Sequence, residues 1–352
     1  MTETNTNSFP FEDYTSFPMN AVQAADAYLK KGVKITPCDY KSKIPIYDTL
    51  FKDRTAWRSD RGKWTFSKGV SPEEVPLYFF GNGYNIAICN GKSSNGLVNV
   101  DLDLPEPLAV ARYILPPTLK SGREGKELAH YWYLIEGPIP ANRWFKLPEG
   151  RPGFPMLVEL LSTGSETLAP PSIYPEGERC VWGGDKIFRT SRSKLVKYVD
   201  DVAVAALLLR HYPDAVGTRL EMAMSAASYL SSRLAPQRVK RIIDATVQAS
   251  EDQEWSLTPF LVKDLEAVVE KIVTGKRVKG VRPLEGIAPT VAEILLRWFQ
   301  WDEQRTAILP WRRRRQRGQR QRRRRQRSKN RREPKYLISS LEMGLGNTKG
   351  CG

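Results

Sequence analysis

Residues 97–104 read LVNVDLDL, and this stretch decides the fold of the region around it. Polar and apolar residues alternate along it with the period of two that is typical of a β-strand. The alternation predicts a half-buried strand with Asn99, Asp101 and Asp103 on one face and apolar residues on the other. Neighbouring carboxylates raise each other's pKa unless a cation lies between them, and such oxygen ligands suit Mg²⁺ or Mn²⁺. The pair alone is compatible with a metal site and with a solvated strand edge.

Further strands are predicted on both sides of this acidic strand. A helix from Asn20 to Lys31 precedes it, and a capping box at Ser71 and Glu74 begins a short helix. Strands are predicted in the segments VKITPC, YNIAIC, AHYWYLI and MLVELL and near residues 178–182. Strands separated by short helices and loops indicate an α+β or α/β sheet domain in the first ~185 residues.

Beyond Ser191 the periodicity becomes helical. Four segments between residues 194 and 275 repeat apolar residues at helical spacing, with turn signals between them at Pro213, Gly217 and Pro236. They predict a small helical bundle rather than a coiled coil. His211 falls at a predicted helix end, where it would interact with the helix dipole.

The formal net charge of +16 is mostly local. Between residues 312 and 332, 13 arginines and one lysine occur without an acidic residue, whereas the rest of the chain has 41 basic against 39 acidic residues. The Arg-Gln composition predicts a tail that is disordered when free. Three interpretations of this tail stay open. It could be a nucleic-acid tether, a solvated interaction arm, or the product of a change of reading frame near Ile308. The tether contacts would come from Arg312, Arg313, Arg314, Arg315, Arg322, Arg323, Arg324 and Arg325.

Several protein classes are not favoured by the composition. No stretch approaches the roughly 18 consecutive apolar residues of a membrane span, and the polar, acidic N-terminus is unlike a signal peptide. The four cysteines lie far apart and form no CxxC pair, which predicts neither a zinc site nor a disulfide framework. We therefore expect a cytoplasmic protein without a membrane partner.

Two residues extend the aspartate pair. Glu159 lies inside the apolar run MLVELL. An unpaired carboxylate buried there would lower the stability of the fold by several kcal/mol or become protonated. Metal ligation or a salt bridge to a nearby Lys or Arg would remove that cost. His130 follows the basic segment KSGREGKE, which is predicted to be a loop whose amides and cations cradle a triphosphate. His130 is then either a phosphate contact or a hydrogen-bonded core residue.

Four segments, in this order, resemble the bifunctional primase-polymerase domain of the archaeo-eukaryotic primase superfamily. They are AYLKKGVKITPCDYKSKIP, NIAICNGKSSNGLVNVDLD, PTLKSGREGKELAHYWYL and MLVELLSTGSETLAPPSIYPEGERCVW, and they fall between residues 18 and 185. Such domains occur in replication proteins of phages, plasmids and mobile elements. The resemblance implies an α+β fold with an RRM-like catalytic sheet.

The resemblance also implies a DNA primase/polymerase that works by two-metal nucleotidyl transfer. Asp101, Asp103 and Glu159 would bind two Mg²⁺ or Mn²⁺ ions, and His130 would contact the phosphates of the incoming nucleotide. The implied partners are a single-stranded DNA template and dNTPs or NTPs. A separately encoded replicative helicase is a further implied partner, because the sequence has no P-loop motif of its own.

Four residues are candidates for secondary nucleotide contacts. Ser121, Arg123 and Lys126 lie in the basic segment before His130 and could bind the triphosphate. Tyr174 stands where the family often has a histidine. Tyrosine can hydrogen-bond a phosphate or a sugar but cannot carry a positive charge.

The expected organisation has five segments. They are a flexible N-terminus (1–17), the catalytic domain (18–190), a helical bundle (191–286), a linker or helix (287–310) and the basic low-complexity tail (311–352). The alternative to an active enzyme is a catalytically inactive, nucleic-acid-binding remnant of a replication protein. A DxD-dependent glycosyltransferase would account for Asp101 and Asp103 but for neither Glu159 nor His130.

Overall fold

The structure is a computed structural model that describes residues 20–46, 69–81, 83–148, 155–251, 259–276, 278 and 281–299. The predicted flexible N-terminus (1–17) and basic tail (311–352) lie outside the described residues, as do residues 300–310 of the predicted linker.

Strands dominate the described part of the chain up to residue 191, and helices follow. The first part contains α1 (Ala21–Lys30), β1 (Ile35–Cys38), α2 (Val75–Phe79), β2 (Asn85–Cys89), β3 (Leu97–Asp101), α3 (Pro105–Ile114), β4 (Leu119–Arg123), β5 (His130–Glu136), β6 (Arg143–Lys146), β7 (Met156–Leu161), β8 (Glu166–Ala169), β9 (Cys180–Gly184) and β10 (Phe188–Ser191). The helices are α4 (Arg192–Arg210), α5 (Val216–Ser231), α6 (Pro236–Glu251), α7 (Pro259–Val273), α8 (Leu284–Ile287) and α9 (Pro289–Phe299). The mixed α+β class is confirmed, and none of the helices in the described ranges is long and apolar enough to cross a membrane.

Two sheets form the first part. The larger has the strand order β6-β7-β3-β5-β4-β9, with β10 paired in parallel to the second half of β5 and the other neighbours antiparallel. The smaller is antiparallel, in the order β1-β2-β8. A hydrophobic cluster joins the smaller sheet and α1 to the larger one, and its members include Tyr28, Ile35, Ile88, Leu97 and Trp132.

The acidic strand, β3, is central in the larger sheet. It pairs with β5 on one side and β7 on the other, and all five of its residues are buried, including Asn99. The predicted half-buried strand is therefore wrong, because α4 contacts β7 and β10 while the cluster around Trp132 packs on the same sheet. The strand also ends at Asp101, so Asp103 lies in the segment that leads into α3.

Two local predictions have different outcomes. At the predicted capping box, the Glu74 carboxylate accepts a hydrogen bond from the amide of Ser71 at 2.9 Å. The segment KSGREGKE, in contrast, is not a loop: β4 occupies its first half and pairs with β5 and β9, and a turn follows at Gly125. Strand pairing therefore engages the backbone of β4 on both sides, and a phosphate cradle formed by the amides around Gly122 and Gly125 stays a prediction.

The predicted helical segments agree closely with α4 to α7, and His211 lies at the C-cap of α4. Helices α4 and α6 are joined by an ionic cluster around the fully buried Asp201. Its carboxylate accepts hydrogen bonds from Arg238 at 2.8 and 2.6 Å and from Arg241 at 3.0 Å. Burial raises the pKa of Asp201 although both guanidinium groups oppose the shift.

We expect Asp201→Ala to lower the free energy of unfolding by about 3 kcal/mol, because two partly buried arginines would lose their counter-ion. Chemical denaturation followed by circular dichroism measures this change. The control is Glu293→Ala, which removes the exposed ion pair with Arg297 within α9 and should cost less than about 0.5 kcal/mol. Equal losses in the two variants would contradict the role of the buried cluster.

Candidate metal and nucleotide site

One row of directly paired residues crosses the larger sheet and contains three of the four predicted catalytic residues. Adjacent strands are in a register that pairs Glu159 with Asp101 and Asp101 with His130. From β6 to β9 the whole row is Trp144, Glu159, Asp101, His130, Ser121 and Trp182. Directly opposed residues share a face, with Cβ atoms about 5 Å apart. The register therefore brings three predicted catalytic side chains together.

Asp103 joins this row from the segment after β3. One carboxylate oxygen from each of Asp101, Asp103 and Glu159 lies within 4.8 Å of the others. Among the described residues, the buried Oδ1 of Asp101 has no hydrogen-bond partner. Three converging carboxylates with an unsatisfied buried oxygen fit a hard divalent cation such as Mg²⁺ or Mn²⁺. The cluster could thus bind metal, and its donor set is compatible with either ion.

The acidic cluster is strained electrostatically without a cation. Desolvation, reinforced by the charges of Asp101 and Asp103, raises the pKa of Glu159 to about 7. Desolvation and the charge of Asp101 raise the pKa of Asp103 to about 6, although that residue keeps an exposed side. A cation between the carboxylates would favour their charged forms and reverse these shifts.

His130 is held by contacts from the next strands. Its Nδ1 lies 3.5 Å from Ser121 Oγ, and this same oxygen accepts a hydrogen bond from Trp132 Nε1 at 2.8 Å. The hydroxyl of Ser121 can either donate to Nδ1 or accept from it, because its oxygen keeps a second lone pair. The other ring nitrogen, Nε2, lies 3.4 Å from Asp101 Oδ1. Burial lowers the pKa of His130, so the ring acts as a neutral hydrogen-bonding group.

The secondary nucleotide contacts expected from the sequence are distributed differently. Ser121 is fully buried between His130 and Trp132, and a contact of its hydroxyl with nucleotide stays a prediction. Arg123 and Lys126 lie beyond it, where both bind Glu178. Tyr174 is also buried, with its hydroxyl 3.8 Å from Cys180 Sγ and its ring 4.8 Å from the Arg123 guanidinium carbon. A contact with nucleotide by Arg123, Lys126 or Tyr174 stays a prediction.

Two lysines near the cluster were missed by the sequence analysis. Lys43 and Lys146 are both exposed, and the positive charge of each lowers the pKa of Glu159 against the effect of burial. Lys43 acts on Asp103 as well. It lies in the segment AYLKKGVKITPCDYKSKIP, which could have identified it. Lys146 has no such signal, because only the register of β6 with β7 brings it near the cluster.

We expect the cluster to bind Mn²⁺ about tenfold more tightly at pH 8 than at pH 6, because protons compete for Glu159 below its pKa of about 7. The fraction of free Mn²⁺, measured by electron paramagnetic resonance, gives the affinity. Glu159→Gln should weaken binding and remove most of this pH dependence.

The control is Glu136→Gln, which changes an exposed carboxylate at the far end of β5 and should bind Mn²⁺ like the unmodified protein. If Glu159→Gln keeps the unmodified affinity at both pH values, Glu159 is not a ligand.

The comparisons with known proteins agree with this geometry. Residues 25–195 match the family described as bifunctional DNA primase/polymerase, N-terminal. The matched residues run from within α1 to the first turn of α4 and include the whole acidic cluster. No curated protein matches the chain. Membership in this family implies primase or polymerase activity, and the acidic cluster is consistent with a catalytic site. Residues 25–195 therefore form a domain of the family of bifunctional DNA primase/polymerase N-terminal domains.

Proposed function

We propose that this chain is a DNA primase/polymerase that transfers nucleotides to a 3′-hydroxyl on a single-stranded DNA template, with Mg²⁺ or Mn²⁺. The proposal includes a role in the replication of a phage, plasmid or mobile element. The observation that carries it is the convergence of Asp101, Asp103 and Glu159 next to His130 within a domain of this family.

The three carboxylates would hold the cations, which lower the pKa of the attacking hydroxyl and stabilise the leaving pyrophosphate. The chain's own residues would bind and orient the nucleotide. With its proton on Nε2, His130 would donate to a phosphate oxygen beside the carboxylates. Its lowered pKa means that it does so as a neutral ring.

Arg123 and Lys126 would supply positive charge to the triphosphate. Arg123 Nη1 now lies 2.9 Å from a Glu176 oxygen and 3.4 Å from a Glu178 oxygen, and Lys126 also binds Glu178. These pairs are partly exposed, so exchanging a carboxylate for a phosphate costs little. In this proposal Glu176 and Glu178 hold the side chains of Arg123 and Lys126 in place until a nucleotide binds.

We expect Asp101→Asn to reduce incorporation of labelled nucleotides at least about a hundredfold, because several kcal/mol of charge stabilisation would be lost. The assay uses primed and unprimed single-stranded DNA with Mg²⁺ or Mn²⁺. Glu136→Gln, which leaves the cluster intact, should retain full activity.

Synthesis on the unprimed template would support priming as well as extension. If the unmodified, folded protein incorporates nothing with either ion, the enzymatic proposal is wrong, and an inactive DNA-binding remnant becomes the better account.

A further inference from the structure

Trp144 is a large aromatic side chain at the candidate site that the fold leaves exposed. It is 54% exposed, and it lies directly opposite Glu159 in the β6–β7 pair. Its Cβ is therefore about 5 Å from that of Glu159 and on the same face. An indole ring held beside a cluster of carboxylates, with half of its surface in solvent, is available to a flat apolar ligand.

The opposite side of β6 fixes this orientation. Phe145 is buried, and its ring centroid lies 5.2 Å from that of Trp298 and 5.9 Å from that of Phe299. Trp298 Nε1 also donates a hydrogen bond to the carbonyl of Lys146 at 2.8 Å. Because side chains alternate along a strand, Phe145 faces α9 while Trp144 faces the acidic cluster. The register of β6 with β7 shifts between Phe145 and Lys146, and the positive charge of Lys146 still acts on Glu159. The strand is thus anchored without burying Trp144.

Lys146 adds a positive charge next to the exposed ring. It lies two residues along the same strand, about 7 Å from Trp144, and it is exposed. Its charge acts on Glu159, the residue that Trp144 directly opposes. An aromatic ring that stacks on a base, combined with a cation that binds the backbone phosphate, is the usual arrangement for binding single-stranded nucleic acid. Trp144 and Lys146 are therefore together suited to binding one nucleotide of a single-stranded nucleic acid.

The order of the row indicates which substrate this is. Starting from Asp101, His130 lies on one side and Trp144 on the other, and Arg123 and Lys126 follow on the His130 side. Nucleotidyl transfer joins a triphosphate to a strand end, so the two substrates must meet at the carboxylates. With the triphosphate on the His130 side, the side of Trp144 is left for the strand.

We propose that Trp144 stacks on a base near the 3′ end of the DNA strand that is extended, with Lys146 contacting a phosphate of that strand. This inference rests on the proposed function and assigns the contact of its second substrate. Trp144 acts here in positioning the strand and takes no part in the chemical step.

The first test is the affinity of the full-length protein for a single-stranded oligothymidylate in EDTA, measured by fluorescence anisotropy. At about 0.3 M salt, purely electrostatic binding is weakened. Trp144→Ala should bind about tenfold more weakly, and Trp144→Phe should recover most of the loss, since any aromatic ring can stack.

The matched control is Phe188→Ala. Phe188 is 40% exposed on β10, but it pairs with Tyr133, which neighbours Trp132 on β5 and therefore lies on the other face of the sheet. This variant should bind DNA like the unmodified protein. Unchanged affinity in Trp144→Ala, or an equal loss in Phe188→Ala, would overturn the proposal.

Kinetics distinguish the two substrates. Trp144→Ala should raise the KM for a primed template about tenfold and leave the KM for the nucleotide within about twofold. A rise confined to the KM for the nucleotide would overturn the assignment to the strand.

A crosslinking experiment on the unmodified protein does not depend on the folding of any variant. An oligomer with 5-iododeoxyuridine at its 3′ end is irradiated in the complex, and the adduct is located by mass spectrometry. An adduct on Trp144 supports the proposal, and adducts only on other residues contradict it. Binding and crosslinking need no metal. If the unmodified protein is inactive, the proposed function is refuted, whereas these two experiments still test the contact of Trp144 with DNA.

Discussion

The register of β7, β3 and β5 is the constraint on which the candidate site depends. It pairs Glu159 with Asp101 and Asp101 with His130, so that side chains 58 and 29 residues apart in the chain share one face. A slip of one residue in either pair would turn a site residue toward the opposite face of the sheet. The buried residues of the hydrophobic cluster, such as Leu97 and Trp132, oppose a slip because it would expose them or leave cavities.

This register imposes an electrostatic cost on the protein. It holds Asp101 and Glu159 side by side where desolvation is substantial, and the raised pKa of Glu159 reports the result. Desolvated like charges are tolerated only where the surrounding structure over-determines them, and they are common at functional sites. The contacts of Ser121 with Trp132 and His130 contribute to the same arrangement, because they hold a neutral imidazole ring beside the carboxylates.

The helices contribute to the site by holding the edge strand β6 from behind. Arg143 Nη2 lies 2.8 Å from Asp200 Oδ1 on α4, and Phe145 packs against Trp298 on α9. Desolvation raises the pKa of Asp200 to about 6, with Arg143 opposing the shift. An edge strand has neighbours on one side only, so these contacts supply the order that a second strand would otherwise give. Helices α4 and α9 therefore support β6, the strand that carries Trp144, from the face opposite Trp144 and Glu159.

Local sequence determined the elements and the acidic residues of this protein. The alternation in LVNVDLDL and the isolated acid in MLVELL identified β3, β7 and the three carboxylates, and helical periodicity located α4 to α7. Only the tertiary structure decided that β3 is covered on both faces, that KSGREGKE enters the sheet as β4, and that Ser121 supports His130 from within the core. It also brought Trp144 and Lys146 to the acids. The physical reason is that periodicity reports which face a residue takes along its own strand, whereas register and burial arise from contacts between segments that are distant in the chain.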